Sequence, residues 1–415
     1  VRLLPAERWR RNQHVTVAAV FAVFTGFAFV IPFLPLYVRQ LGVRAPEDVA
    51  LWAGVLIGVA PLAAGLLAPV WGRLADRHGH KAIALKALLA YVLLLVLSAA
   101  VTSVGQLFLL RLGVGLFGGI GPLGLAMAAA HAPREETGRA VGAVQAAQIL
   151  SAAVGPLLGG VLADTIGIRR TFLVTALLCA AALWLVARHY EDGPTAPAAD
   201  GTASAPWRDL LRLRGVLPLL AVLFLVNFIG RSFTPVLPLH LHELGVPPSR
   251  LALSTGILIS VYSVAAALSA AWLGRVAGRV PPLLLLGLGL LGGGVSVLPM
   301  AWAGGLPSFL GLALALGLAS GGCLTLCYTI GSLIVPADRR ATAFGFFAGA
   351  ALFGGAVSPA VAGLLARWDL RAIYAVDAAL FGLLAVAALA RATVRGRASR
   401  GAPAQAEASS PPERA

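Results

Sequence analysis

The stretch "IPFLPLYVRQLGV" at residues 31–43 returns as "TPVLPLHLHELGV" at residues 234–246, an offset of 203 positions. Three further blocks keep that spacing to within one position. "GRLADR" at 72–77 returns as "GRVAGR" at 274–279, with an offset of 202. "APREETGRAVGAV" at 132–144 aligns with "VPADRRATAFGFF" at 335–347, and "GPLLGGVLA" at 155–163 with "SPAVAGLLA" at 358–366, both at an offset of 203. Chance does not place four blocks within one position of a single offset, so the chain reads as two copies of one unit.

Between the blocks the sequence is apolar. It is 59% hydrophobic and 12% charged, with a mean hydropathy of +0.87, far from an ordinary soluble domain. Runs of about 18 or more apolar residues cross a hydrocarbon core as helices. Such runs fall at 14–38, 51–72, 81–103, 105–130, 139–163, 169–189, 215–240, 250–274, 281–303, 305–335, 341–366 and 371–392. A barrel would instead require alternating strands of roughly ten residues, and backbone N–H groups in lipid need internal partners. The expected fold is an all-α integral membrane protein, with twelve transmembrane helices in two pseudo-symmetric six-helix bundles. Residues 1–13 read as a cytoplasmic N-terminus, 14–189 as the first bundle and 190–214 as a polar cytoplasmic linker. Residues 215–392 read as the second bundle and 393–415 as a disordered cytoplasmic tail. Parallel repeats of this kind rock about a substrate site at their interface, near the bilayer midplane.

A net charge of +15 raises the question of nucleic acid, which the distribution of cations answers. With the N-terminus inside, about 22 of the 32 Lys and Arg residues fall in cytoplasmic segments and about seven in the opposite loops, the positive-inside pattern of a membrane protein. Both termini are expected in the cytoplasm. Trp9, Trp52, Trp71, Trp272, Trp302 and Trp368 lie at or near span ends, where interfacial aromatic belts form. Three cysteines are too few for a disulfide framework, and Cys323 and Cys327 have no nearby His or carboxylate to complete a metal site, so no metal is expected. The first span follows a basic segment as a signal peptide would, yet at about 25 residues it is too long and lacks a small-residue cleavage site. The chain begins with Val1, which the sequence does not explain. "GVGLFG", "GIGPLG" and "GLGLLG" match a dinucleotide fingerprint but lie inside apolar spans with no strand before them. The only lysines, Lys81 and Lys86, follow no phosphate-cradling loop, so ATP drive is not expected. No cofactor is expected, and no enzyme activity, because paired carboxylates and a soluble domain are lacking.

The charge that remains is concentrated in "WGRLADRHGHK" at 71–81, between two apolar runs. "GRLADRHGHK" resembles motif A of the major facilitator superfamily, "RLGVG" from Arg111 resembles its motif B core, and "GPLLGG" at 155–160 resembles the antiporter motif C. On these motifs the chain resembles that superfamily over about residues 14–392, nearest to the twelve-helix drug:proton antiporters of bacteria. His80 stands where the family usually has Arg, Val114 where it often has Gln, and the second motif A copy has Gly278 where the first has Asp76.

Motif A offers a gate. Asp76 at the end of helix 2 can place a carboxylate near the positive N-terminus of helix 11, an interaction of about 0.3–2 kcal/mol, small enough to break and re-form. The resemblance implies that this contact, with Gly72, Arg73, Arg77, Gly79 and Lys81, closes the cytoplasmic side in the outward-facing state. The alternative is that these charges only enforce topology and a tight turn at Gly79. In motif C, Gly155, Gly159 and Gly160 permit close helix approach and Pro156 removes a backbone hydrogen bond, giving a pliable seam. Arg111, Arg231 and Asp377 lie inside spans, where a charge must face the interior or a partner. Arg111 either biases proton movement, as the resemblance implies, or anchors a hydrogen bond. Arg231 and Asp377 lie at similar depth and are expected to pair, with Asp377 a candidate for the coupled proton. Polar stripes predict a central cavity lined by Asn227, Arg231 and Thr234 on helix 7, Thr325 and Tyr328 on helix 10, Thr25 and Phe29 on helix 1, and Gln145 and Gln148 on helix 5. A wide apolar and aromatic cavity suits lipophilic substrates.

The expected function is secondary active transport, as proton-coupled efflux of lipophilic or cationic drug-like compounds by alternating access. The alternative is a major facilitator transporter of one specific metabolite, siderophore or lipid. Expected partners are a small-molecule substrate, protons as coupling ion and the lipid bilayer, with no nucleic acid. The protein is expected as a monomer, multi-pass in the bacterial inner membrane.

Overall fold

The computed structural model describes residues 5–130, 132–133, 136–192, 212–213, 215–336 and 340–400; for residues 5–8, 69, 76, 340–342 and 394–400 it describes the backbone alone. Most of the expected linker and the end of the expected tail lie outside the described residues. Among the described residues eleven helices are long and apolar enough to cross a bilayer, and the bent pair Val216–Ser232 and Leu237–Glu243, 42° apart, supplies a twelfth. The protein is therefore a multi-pass helical membrane protein.

Span 1 runs through Pro5–Val30, a 3-10 turn at Ile31–Phe33 and Leu34–Gln40. Pro32 and Pro35 remove the N–H groups that a continuous helix needs there. Span 2 is Pro46–His78 and span 3 is His80–Ala100, joined by Gly79 alone at φ +88°, a left-handed backbone that a side chain would strain. Span 4 breaks into Val104–Leu116 and Ile120–Ala130, and it opens on a capping box between Ser103 and Gln106. Span 5 is Thr137–Ile166 and span 6 is Ile168–His189.

The second half repeats these features. Span 7 is the bent pair, span 8 is Leu251–Val276, and span 9 is Pro282–Val297 with a 3-10 end at Leu298–Trp302. Span 10 breaks into Leu306–Ser320 and Cys323–Ile334, span 11 is Arg340–Leu365 and span 12 is Ala372–Arg400. The breaks in spans 4 and 10 fall at the paired glycines Gly118–Gly119 and Gly321–Gly322, which share the repeat offset. The apolar runs 105–130 and 305–335 predict continuous spans, which the glycine pairs interrupt.

Within the first half span 1 packs on spans 5 and 6, span 2 on span 4, and span 3 on span 6. Within the second, span 7 packs on span 11, span 8 on span 10, and span 9 on spans 10 and 12. Apolar stripes left exposed include Leu89, Leu93 and Leu97 on span 3, Leu177 and Trp184 on span 6, Leu288 and Val295 on span 9, and Leu383 and Val386 on span 12. Those faces meet hydrocarbon in a membrane. Contact between the halves is made by span 2 with span 11 and by span 5 with span 8. An even number of spans puts the two ends of the chain on one side, here the terminal face; the side bearing residues 40–46 and 166–168 is the far face.

Candidate functional site

Where the halves meet, glycine faces carbonyl. A methyl group on Gly54 of span 2 would collide with the Pro359 carbonyl of span 11, and one on Gly58 with that of Ala356. From the other side, a Cβ on Gly363 would strike the Ala50 carbonyl. Spans 5 and 8 do the same: Gly256 lies under the Pro156 carbonyl, and a Cβ on Gly160 would lie 2.6 Å from the carbonyl oxygen of Ala252. Pro156 corresponds to Pro359, Gly160 to Gly363 and Gly54 to Gly256 in the two copies. The sequence repeat is thus realised as two equivalent seams of backbone against backbone, the packing that small residues permit in a membrane.

The seams are confined to the far half. Gly58 is 12 residues into span 2, about 18 Å at 1.5 Å per residue. On the same stripe, Gly65 and Gly72 have nothing within 4 Å of where a Cβ would stand, and neither do Gly345 and Gly349 on span 11 nor Gly138 and Gly142 on span 5. Helices that touch near the far face therefore separate toward the terminal face, leaving a crevice open on that side.

One polar contact closes the far end of each seam. Asp164 at the end of span 5 accepts from the backbone N–H of Leu253 at 2.8 Å, capping span 8. At the equivalent corner, Arg367 after span 11 reaches Asp48 in the first turn of span 2 at 2.7 Å. Neither contact was anticipated from the sequence, although the repeat relates their positions.

Motif C has two faces. Gly160 meets the other half, whereas Gly155 rests on Ala28, and a Cβ on Gly159 would lie 2.5 Å from Phe29 Cα. Gly155 and Gly159 therefore seat span 1, and Thr25 and Phe29 are buried in that contact, with Thr25 Oγ1 donating to Ser151 Oγ at 3.0 Å. This corrects the expectation that Thr25 and Phe29 line the cavity. Gln145 is exposed and Gln148 half-buried on span 5, with Gln148 Nε2 3.8 Å from where Gly121 of span 4 would carry a Cβ.

Of motif A, Gly72, Arg73 and Arg77 are exposed, and Lys81 donates its backbone N–H to both carboxylate oxygens of Asp192 at 3.2 Å. Asp192, which no motif marks, thus caps span 3 and sits where a Cβ on Gly79 would stand. The carboxylate of Asp76 and the side chains at the start of span 11 lie outside the described residues, so the expected contact is not part of the described geometry.

Arg111 is buried and donates Nε–H to the Leu56 carbonyl at 3.1 Å, tying span 4 to the seam stretch of span 2. Asp377 is fully buried and accepts a short hydrogen bond from Ser232 on its Oδ2, while Oδ1 has no partner. Arg231 and Asp377 do not pair. The depths match, but successive helical residues point about 100° apart, so Ser232 faces span 12 and Arg231 faces span 11. Arg231 is exposed, with Cγ 3.5 Å from where Gly355 would carry a Cβ. Asn227 is half-buried and donates to the Leu223 carbonyl at 3.2 Å, and Thr234 and Thr325 are half-buried. Tyr328 stands in an aromatic cluster with Phe344 and Phe347, at centroid distances of 5.9 and 6.4 Å. No cluster of three metal-ligating side chains occurs among the described residues.

Gly293 on span 9 is packed: a Cβ there would lie 2.9 Å from the ring of Phe381 and 3.1 Å from Ser320.

Two paired halves, twelve spans and a one-sided crevice are what a rocking carrier requires, and comparison with known proteins agrees. A family model described as Major Facilitator Superfamily matches residues 16–283 and 233–414. The chain is 32% identical over 288 residues to a multidrug resistance protein MdtG of Proteus mirabilis, covering 68% of this chain and 71% of that one. It is 31% identical over 363 residues to a multi-drug resistance efflux pump PmrA homolog of Lactococcus lactis, covering 87% and 89%. Among solved structures it is similar in fold to the nucleoside transporter NupG (TM-score 0.75, 12% identity, 91% of this chain and 99% of that one). It is also similar to a bacterial homolog of the lysosomal transporter Spinster in an inward-facing, unoccupied conformation (TM-score 0.69, 18% identity, 95% and 97%). With the family model matching both copies of the repeat, the chain belongs to the Major Facilitator Superfamily of transporters.

Proposed function

We propose that this transporter exports lipophilic drug-like compounds from a bacterial cell in exchange for protons, by rocking two bundles, residues 14–189 and 215–392, about the crevice between them. The observation that carries this reading is the pair of equivalent glycine–carbonyl seams, shut near one face and parted toward the other. The names of the relatives, multidrug resistance protein and multi-drug resistance efflux pump, support export of diverse compounds. The excess of cations on the terminal face supports placing both termini in the cytoplasm, with the far face outside the inner membrane. In that orientation the described conformer faces inward. The protein works as a monomer, without nucleic acid, and moves its substrate without covalent chemistry.

In this cycle Asp76, flanked by Gly72, Arg73, Arg77, Gly79 and Lys81, closes the cytoplasmic side of the outward-facing state against the N-terminus of span 11. Motif C, from Gly155 through Pro156 to Gly159 and Gly160, is the bearing on which span 5 turns. Asp377 holds the coupled proton on the oxygen that Ser232 leaves free, and Arg111 fixes span 4 to the moving span 2. Gln145, Gln148, Asn227, Arg231, Thr234, Thr325 and Tyr328 border the crevice.

The test is transport by purified protein in liposomes with an imposed pH gradient, across a panel of dyes, antibiotics and metabolites. Uptake of several unrelated lipophilic compounds that collapses with the gradient is expected. Uptake confined to one metabolite would favour a dedicated solute carrier, and gradient-independent uptake would remove the proton.

A further inference from the structure

The ionisable side chains Arg111, Arg231 and Asp377 lie deep in the spans, and the structure uses them differently. Arg111 is buried on a backbone carbonyl, and Asp377 is buried under the Ser232 hydroxyl. Arg231 alone is exposed, and among the described residues it makes neither a hydrogen bond nor an ion pair.

Its surroundings rule out a lipid-facing position. Span 7 rests on span 11 here: the Ser358 hydroxyl donates to the Phe228 carbonyl, and Gly354 lies under the Phe224 carbonyl. Gly355 leaves room for the stem of Arg231, and Tyr262 of span 8 is within its electrostatic reach. The next residue along span 11, Ala356, presses its carbonyl on Gly58 across the seam. Arg231 therefore stands at the inner end of the closed seam, at the roof of the crevice. Its fixed charge stands at mid-span depth, where a molecule entering from the terminal face reaches it. An arginine with a purely structural task would be bonded as Arg111 is, because an unpaired charge at this depth is expensive.

We propose that Arg231 binds the anionic group of the substrate, and that the compounds this transporter prefers are lipophilic organic anions: an apolar body bearing a carboxylate, sulfonate or phosphonate. The guanidinium presents paired N–H donors that match such groups bidentately. The half-buried rings of Tyr328 and Phe344, packed on each other, lie farther toward the terminal face, along the way in. A lipophilic cation would find no exposed carboxylate among the described mid-span residues, and it would be repelled by Arg231. This inference rests on the proposed export of lipophilic compounds through the crevice, and it narrows their charge.

The experiment compares three naphthyl compounds of one size, a sulfonate, a neutral amide and a trimethylammonium. Binding to purified protein and pH-gradient-driven transport in liposomes are measured for each. Wild type should bind the sulfonate about tenfold or more tightly than the ammonium, the size expected of a charge-assisted contact. Arg231→Gln should lose that preference while keeping the neutral amide, and Arg231→Lys should retain part of it. Equal sulfonate affinity in wild type and Arg231→Gln, or preference of wild type for the ammonium, would overturn the assignment. If Arg231→Gln does not fold, the wild-type order and Arg231→Lys decide. Transport of the amide without preference for the sulfonate would defeat the charge assignment alone. Failure to bind or transport any of the three would defeat the export reading and this inference with it.

Discussion

At the scale of single residues, what matters is whether a neighbour is backbone or side chain. At Gly159 the obstacle is the Phe29 backbone, which cannot rotate away, whereas Gly311 on span 10 has nothing within 4 Å. Gly159→Leu should lower the thermal stability of the purified protein by an amount in keeping with about 1–3 kcal/mol of overpacking, and Gly311→Leu should leave the melting temperature unchanged. Gly293→Leu should fall between, since its obstacles are the Phe381 ring and Ser320 side chain. Asp76→Asn tests the proposed cytoplasmic latch. Expression and stability should persist while transport falls severely, and accessibility labelling should show excess protein open to the cytoplasm; wild-type transport would end the latch idea. The pairing of Arg231 with Asp377 shows where residue-level reading of the sequence stops. Depth along a helix follows from counting, but direction around it depends on which neighbour each face meets, and one residue's difference sends Ser232 and Arg231 to different helices.

At the scale of elements the spans were legible because bilayer thickness forces long apolar runs, and the two-bundle plan because the repeat survives in sequence. The seams were not legible. They are made of carbonyl groups, which every residue carries, and their signature is an absent side chain in a chain with 48 glycines. Gly54→Ala and Gly256→Ala, equivalent by repeat, should each destabilise the far-side closure and raise labelling of cysteines introduced in the seam from the far face, whereas Gly65→Ala should not. The polar clasps can be ranked likewise. Asp164 caps a helix N-terminus, an interaction of about 0.3–2 kcal/mol, whereas Asp48 and Arg367 form an exposed ion pair of about 0–1 kcal/mol. Asp164→Asn should therefore open the far side more than Asp48→Asn, by up to roughly an order of magnitude in population. A larger effect from Asp48→Asn would reverse the ranking.

At the scale of the whole molecule the transport cycle requires both seams to part together, since each half moves as a packed unit. Cysteines introduced as Asp48→Cys and Arg367→Cys, joined by a short bifunctional maleimide, should stop transport while leaving substrate binding from the terminal face intact. The three native thiols, Cys179, Cys323 and Cys327, are buried and should not interfere. Continued transport with the far face tied would show that opening there is not part of the cycle. The backbone make-up of the seams also separates two kinds of inheritance. A gate built from carbonyls and a few glycines is indifferent to what stands on neighbouring faces of the same helices. Mutations that widen or shift the range of compounds handled can accumulate in the crevice without retuning the motion, so lineages of this protein should diverge in what they expel long before they diverge in how they move.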